Sequence, residues 1–218
     1  MTVLLREQVA EAARRLAHEG LLVGTAGNVS ARSGDLVGVT ASGVVLGGCR
    51  PEDVTVVTPS GYVVEGDLAP TSELSLHLGI YTDTGTAAVV HTHAPFSTAV
   101  ACVLDELPVL HYQQLLLGGA VRVAPYATFG TPELAGAVRE ALDGRQAALM
   151  ASHGSVAIGD SLSAAVQNAL LLEWLAALYH RASLLGTPRV LTQDEQDDVV
   201  RQAMSRNYGT PQPHEEHQ

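Results

Sequence analysis

The sequence predicts an α/β (α+β) fold, in which a single domain is built on a central, mainly antiparallel sheet flanked by helices. Short apolar runs of β type, separated by glycine residues, are typical of antiparallel strands and hairpins. Segments with helical apolar spacing flank these runs, and the longest covers residues 162–185. The chain has 218 residues, 46% of them hydrophobic, which suits one domain with a substantial core.

The first half of the chain begins with helical spacing over residues 3–19, and Gly20 ends this helix. Glycine-containing turns then separate short strands, and residues 24–30 are interpreted as one of these turns. The predicted strands are Leu21–Val23, Leu36–Thr40, Val54–Val57 and Tyr62–Val64.

The second half alternates helices and strands. Helical spacing returns over residues 72–82, and Pro95 is placed to begin another helix. The later predicted strands are Ala87–His93, Val121–Ala124 and Ala147–His153. The later predicted helices are Pro132–Leu142, with Thr131 as its cap, residues 162–185 and residues 192–206. We assign residues 1–208 to the domain and expect residues 209–218 to be a disordered tail.

The charge balance limits the classes of partner. The chain has 12 basic and 23 acidic residues and a formal net charge of −11, whereas nucleic acids and anionic membranes require clustered Lys and Arg. The N-terminal 13 residues lack the apolar core of a signal peptide, and no stretch approaches the roughly 18 apolar residues of a membrane span. We therefore expect a soluble cytoplasmic protein that binds neither nucleic acid nor membranes.

A candidate metal site begins with the motif Val-Val-His-Thr-His. His91 and His93 are two positions apart, so in a strand their imidazoles lie on the same face. His153 follows a second apolar run. Three histidines would leave a fourth zinc position open, as catalytic zinc sites require. From these residues alone, solvated or hydrogen-bonded histidines are the more frequent alternative.

Glu73 stands at the start of a predicted helix, where the helix dipole favours an acidic residue. The functional interpretation is a carboxylate that binds the metal at rest and then acts as a base. Burial would raise its pKa toward working pH. His77 lies four residues later on the same helical face. It could be a further ligand, but a structural role behind the site is favoured.

Three turns carry glycine and small polar residues that suit a phosphate. They are Gly24–Ser30, which contains Asn28, Thr40–Gly43, and Thr71-Ser72 at a helix start. Glycine allows close approach of the backbone, and helix N-termini present free N–H groups. Ordinary turn chemistry explains each turn equally well. A Walker loop is absent from the sequence.

Taken together, these segments resemble the class II aldolase/adducin family, and among its members they are most similar to bacterial enzymes for L-fuculose 1-phosphate. The resemblance covers most of residues 5–185. The motifs that carry it are GTAGNVS (24–30), TASG (40–43), PTSE (70–73), VVHTH (89–93), HYQQ (111–114), APYATFGTPEL (124–134) and SHG (152–154).

The resemblance implies a homotetramer with active sites near subunit interfaces, and it assigns roles residue by residue. Glu73 would be both the resting metal ligand and the catalytic acid/base, and Tyr112 would act on the aldehyde oxygen. Tyr208 would reach the site of a neighbouring subunit. The metal ligands would be His91, His93, His153 and Glu73, and the phosphate site would comprise Asn28, Ser42, Gly43, Thr71 and Ser72.

The implied reaction is the reversible cleavage of an L-fuculose 1-phosphate-like ketose 1-phosphate into dihydroxyacetone phosphate and a small aldehyde, through a zinc enediolate. Cobalt, manganese or iron would also suit these ligands. Because the chain contains no lysine, an aldolase that forms a Schiff base is excluded. The alternatives are a 5-deoxyribulose- or methylthioribulose-1-phosphate aldolase, a ribulose-5-phosphate 4-epimerase, a methylthioribulose-1-phosphate dehydratase and a non-catalytic adducin-like scaffold.

Overall fold

The structure, a computed structural model, describes residues 2–205. The α-helices of this part of the chain are α1 (Thr2–His18), α2 (Leu74–Thr84), α3 (Pro95–Ala101), α4 (Pro132–Ala141), α5 (Leu162–Leu185) and α6 (Gln193–Ser205). Its strands are β1 (Asn28–Ser33), β2 (Leu36–Thr40), β3 (Val54–Val57), β4 (Val63–Glu65), β5 (Ala88–Thr92), β6 (Glu106–Leu107), β7 (Val121–Ala124), β8 (Ala147–Met150) and β9 (Gly154–Gly159).

The strands form one nine-stranded sheet in the order β4-β3-β2-β1-β5-β9-β8-β7-β6. Neighbouring strands pair antiparallel, apart from the parallel pair β7 and β8. Helices α1, α3 and α5 lie on one face of this sheet, and α2 and α4 lie on the other. The predicted fold class, a mainly antiparallel sheet flanked by helices, is confirmed.

Two apolar clusters fill the layers between the sheet and its helices. Successive residues of β5 alternate between them, because side chains of a strand point to opposite faces: Val90 packs beneath α5, and Val89 packs beneath α2 and α4. His91 continues this alternation and therefore lies on the α2 face. The polar side chains of this face are the ones that build the candidate site.

One predicted strand is absent, and another is shorter than predicted. Residues 21–23 are not a strand. The chain instead enters the sheet at Asn28, after Gly24 and Gly27 adopt positive φ angles of 61° and 92°. The predicted strand Ala147–His153 ends at Met150, and residues 151–153 turn the chain into β9. A polar turn between two apolar runs makes this segment a hairpin.

The sequence was expected to contain no stretch long and apolar enough to cross a membrane, and helix α5 shows that this was wrong. By length and composition alone, α5 could cross one. One side of α5 packs against β5, β9 and α3, with Ala165, Ala169 and Leu172 buried. This is the packing of a core helix that covers a sheet.

Gly154 gives a first prediction, on stability. A Cβ atom at this position would lie 2.3 Å from the backbone oxygen of Thr92 and 3.2 Å from Cδ2 of His93. We expect Gly154→Ala to lower the free energy of unfolding by about 1–3 kcal/mol, because the rigid backbone of β5 must shift. Chemical denaturation of the metal-free protein measures this change.

Gly136→Ala is the matched control for Gly154→Ala. Gly136 lies inside α4, and a Cβ atom there would meet nothing within 4 Å. Alanine replaces glycine in a helix with a gain of about 0.5–1 kcal/mol. Equal stability changes in the two variants would contradict the steric account of Gly154.

Candidate active site

The histidines of the VVHTH motif lie at the end of β5, beside β1 and β9. His91 is fully buried, and its cross-strand neighbours are Asn28 on β1 and Val156 on β9. Its Nδ1 lies 2.9 Å from the backbone oxygen of Ser155. Since only a protonated Nδ1 can donate to a carbonyl, this contact leaves the lone pair of Nε2 free for a metal.

His153 comes from the turn between β8 and β9. The preceding residue, Ser152, has a φ of 54°, a left-handed conformation that is uncommon for a residue with a side chain. Gly154 on the other side allows close contact with Thr92. Together these two residues bring the imidazole of His153 to 5.0 Å from both His91 and His93, measured between ring centroids.

Four side chains converge on one point. The ligand atoms of His91, His93 and His153 all lie within 4.8 Å of one another. The Glu73 carboxylate faces them, with Oε2 3.1 Å from Nε2 of His91 and Oε1 3.7 Å from Nε2 of His153. Glu73 Oε1 is buried and has no hydrogen-bond partner among the described residues. A buried carboxylate oxygen without a partner costs free energy unless a cation or donor meets it.

The protonation states suit a metal. Burial lowers the pKa of His93 to about 4, with a further contribution from the charges of His91 and His153. Burial likewise lowers the pKa of His153. Both rings are therefore neutral at neutral pH, as a metal ligand must be.

Glu73 corrects an expectation from the sequence. Burial does raise the pKa of its carboxyl, but the neighbouring His91, the hydrogen bond from Asn28 and the neighbouring His153 together lower it by more. The resulting pKa is lower than the ordinary value for a glutamate. The resting carboxylate is consequently ionised at neutral pH, which suits a ligand of a cation.

The three polar turns lie beside these side chains. A backbone bridge joins Ala41 to Pro70, and the N–H of Ser42 donates to the backbone oxygen of Ala69 at 2.9 Å. These contacts bring the turn after β2 next to the start of α2. A cavity of about 330 Å³ results, lined by Asn28, Ser42, Gly43, Thr71, Ser72, Glu73, His93 and His153 among others.

The chain matches the family model described as "Class II Aldolase and Adducin N-terminal domain" over residues 7–180. This chain belongs to the class II aldolase and adducin family. The membership confirms the resemblance read from the motifs, and with it the assignment to the aldolase lyases. Members of this class depend on a metal ion, and the neutral imidazoles and the unpartnered Glu73 oxygen fit one.

Relatives within the family differ in substrate. The chain is 40% identical over 200 residues to a 5-methylthioribulose-1-phosphate/5-deoxyribulose-1-phosphate aldolase of Rhodospirillum rubrum, which covers 91% of this chain and 90% of that protein. It is 36% identical over 198 residues to the L-fuculose phosphate aldolase of Escherichia coli K12, covering 90% and 92%. Among solved structures, an L-fuculose 1-phosphate aldolase superposes with a TM-score of 0.86 at 33% identity, covering 92% and 96%.

The resemblance also assigned two tyrosines, Tyr112 and Tyr208, to this site. Tyr112 lies on a short 3-10 helix, Tyr112–Leu117, is half exposed and does not line the cavity of His153. It instead lines a separate apolar cleft of about 1050 Å³ between this 3-10 helix and α6. Within one chain the structure therefore does not bring Tyr112 to the metal-site residues. Tyr208 lies outside the described residues.

Two aromatic residues at the cavity were not singled out by sequence reasoning. Tyr126 and Phe129 line the same cavity as Glu73, and 69% and 66% of their respective surfaces are exposed. The signal in the sequence was their place in the motif APYATFGTPEL, which was quoted for the resemblance without a role for either ring. They add apolar surface to a cavity whose other walls are mostly polar.

Proposed function

We propose that this chain is a zinc-dependent aldolase that reversibly cleaves a ketose 1-phosphate into dihydroxyacetone phosphate and a small aldehyde. The observation that carries this proposal is the convergence of His91, His93, His153 and Glu73 at one end of a cavity. Three imidazoles and a carboxylate are a donor set that suits catalytic zinc. Hydroxyl-bearing turns at the same cavity suit the phosphate of the substrate.

His91, His93 and His153 would hold the metal, with Glu73 as the fourth ligand at rest. When bound, the metal supplies a Lewis acid that stabilises negative charge on the substrate oxygens. In the direction of synthesis the ionised Glu73 would remove a proton from the carbon of dihydroxyacetone phosphate that forms the new bond. In cleavage Glu73 would first take up a proton, balanced by the one that the substrate hydroxyl loses as the C–C bond breaks, and would then deliver it to that carbon. Asn28, Ser42, Gly43, Thr71 and Ser72 would bind the phosphate through amide, hydroxyl and backbone N–H groups.

The proposed substrate is a 5-deoxy- or 5-methylthio-ribulose 1-phosphate. The relative from Rhodospirillum rubrum, which carries these substrates in its name, supports this choice. The exposed rings of Tyr126 and Phe129 support it as well, since methyl and thioether groups pack favourably against aromatic rings. L-fuculose 1-phosphate is the second candidate, favoured by the solved structure with a TM-score of 0.86.

Tyr112 would act on the aldehyde oxygen of a neighbouring subunit's site. The proposal rests on its half-exposed position beside a large apolar cleft, where a second copy of the chain could pack.

Several expectations from the sequence remain predictions: the homotetramer, the role of Tyr208, a domain that spans residues 1–208 and a cytoplasmic location. So do a ribulose-5-phosphate 4-epimerase and a methylthioribulose-1-phosphate dehydratase as alternative activities.

The test is release of dihydroxyacetone phosphate, coupled to a reporter dehydrogenase. Zinc-loaded and chelator-treated protein are each offered 5-deoxyribulose, 5-methylthioribulose and L-fuculose 1-phosphates. We expect chelator-sensitive release, with the highest kcat/KM for one of the two ribulose derivatives. The highest value for L-fuculose 1-phosphate would favour the second candidate. With zinc bound, absence of release from all three would contradict aldolase activity.

A further inference from the structure

A continuous chain of buried side chains runs from the core to Glu73. Asn28 and Ser30 of β1 are two positions apart and share a face of the sheet, whereas Glu73, His77 and Tyr81 recur every four residues along one face of α2. The two sets interdigitate in the order Tyr81, Ser30, His77, Asn28, Glu73. All five side chains are buried, and His77 is fully enclosed.

Four hydrogen bonds connect these side chains. The Tyr81 hydroxyl lies 2.6 Å from Ser30 Oγ, which lies 2.7 Å from His77 Nδ1. His77 Nε2 lies 2.5 Å from Asn28 Oδ1, and Asn28 Nδ2 donates to Glu73 Oε2 at 2.9 Å. We call this set the His77 relay.

The orientation of the Asn28 amide fixes the direction of every bond in the His77 relay. Its nitrogen donates to Glu73 Oε2, and its oxygen faces Nε2 of His77. That oxygen accepts, so His77 must carry its proton on Nε2. A neutral ring then accepts at Nδ1 from the Ser30 hydroxyl, which in turn accepts from Tyr81.

The surroundings of His77 keep it neutral. Burial lowers the pKa of His77 to about 3, against a smaller opposing effect of the Glu73 charge. Both ring nitrogens are used within the His77 relay, so His77 is not available as a metal ligand. The structural role favoured for His77 on sequence grounds is therefore to bridge Ser30 and Asn28 through its two ring nitrogens.

We infer that His77 is a positioning residue for the acid/base step: by donating to Asn28, it holds the amide N–H that anchors Glu73 Oε2. This inference rests on the proposed function, because it assumes that Glu73 moves a proton. The two carboxylate oxygens of Glu73 therefore differ. Oε2 accepts a hydrogen bond from Asn28, whereas Oε1 has no protein donor among the described residues. Without the donor from His77, Asn28 Oδ1 loses its partner, and the amide is no longer held at the position from which its N–H reaches Glu73 Oε2.

A pair of amide substitutions separates positioning from mere stability. In His77→Gln, the amide nitrogen can take the place of Nε2 and donate to Asn28, while the acceptor for Ser30 is lost. In His77→Asn, the shorter amide can accept from Ser30, while the donor to Asn28 is lost. Each variant leaves one buried partner unsatisfied, so the two are expected to have similarly lowered Tm values.

The measured reaction is deuterium exchange into dihydroxyacetone phosphate in D₂O, followed by NMR, which needs Glu73 and the metal but no aldehyde. We expect His77→Asn to lower the kcat of exchange by about 10²-fold with little change in KM, whereas His77→Gln recovers most of that loss. Zinc content is measured on each sample. Equal exchange rates in the two variants would overturn the positioning role.

A second readout does not depend on activity. In the wild-type protein, ¹⁵N shifts of the His77 ring at neutral pH should identify the neutral tautomer with hydrogen on Nε2. Hydrogen on Nδ1 would overturn the inference, even if the protein is an active aldolase. Failure of the zinc-loaded wild type to exchange deuterium, with the expected tautomer present, would instead overturn the proposed function and with it the catalytic role of His77.

Discussion

Glu73→Gln is expected to lower the kcat of dihydroxyacetone phosphate release by about 10²–10⁴-fold, the range that a positioned acid/base contributes. Glutamine has nearly the same volume, and its amide oxygen can still accept from Asn28 Nδ2. It cannot take up or deliver a proton at neutral pH. The three imidazoles remain, so the variant should retain part of its zinc.

The size of the expected loss in kcat depends on the surroundings of Glu73. Its carboxylate is buried, and its two oxygens face Nε2 of His91 and Nε2 of His153, so it is the acidic group held at the point where the histidines converge. The resting pKa, lowered by its hydrogen bonds and neighbouring histidines, keeps the wild-type side chain ionised. Glutamine removes that charge as well as the proton transfer.

Glu133→Gln is the matched control for Glu73→Gln. Glu133 likewise lies at the start of a helix, in the first turn of α4, but it is exposed. Loss of its favourable interaction with the helix dipole is worth about 0.3–1 kcal/mol of stability and should leave kcat unchanged. A near-normal kcat in Glu73→Gln would remove Glu73 from the proposed role.

The metal-site residues could be predicted from sequence because local spacing determines them. His91 and His93 stand two positions apart at the end of one strand, and Glu73 stands at a helix start, so short patterns mark them as candidates. The resemblance to the family was needed to join them into one ligand set. His153 lies beside His91 and His93, although the strand predicted to carry it was wrong. The apolar run before it was enough to mark a strand end, but not to reveal the hairpin that follows.

The His77 relay could not be predicted in the same way. Its order depends on the register between β1 and α2, which are more than 40 residues apart, and β1 itself was interpreted as a turn. Glycines and small polar residues in Gly24–Ser30 are common in turns, and the pairing of Asn28 with His91 overrides that preference. Tyr112 shows a second limit, since sequence motifs do not tell whether a residue serves its own chain or a neighbour.

The pKa of Glu73 shows why composition near a site is a poor guide to electrostatics. Burial alone would favour the protonated carboxyl. The pKa of Glu73 is lowered instead, because Asn28 of β1 and the neighbouring histidines face the same carboxylate. Which of the opposing effects is larger can be decided only from the three-dimensional arrangement.

The largest loss is expected when a metal ligand is removed. Even a side chain that only orients a ligand is worth about 10–100-fold in metal affinity, so His153→Ala should weaken zinc binding by more than this. Activity that depends on zinc should fall with it. The side chain of His153 makes no hydrogen bond among the described contacts, so the metal-free variant should melt close to the metal-free wild type.

Thermal unfolding with and without zinc separates these effects. Zinc at about 100 times its Kd should stabilise the wild type by about 2.7 kcal/mol. For a chain of this size, each kcal/mol raises Tm by about 2–4 °C. His153→Ala should lose this shift, whereas His18→Ala, an exposed histidine at the end of α1, should keep it. A full zinc-dependent shift in His153→Ala would place the metal elsewhere, because a site built on His91, His93 and Glu73 alone lacks a ligand that the wild type has.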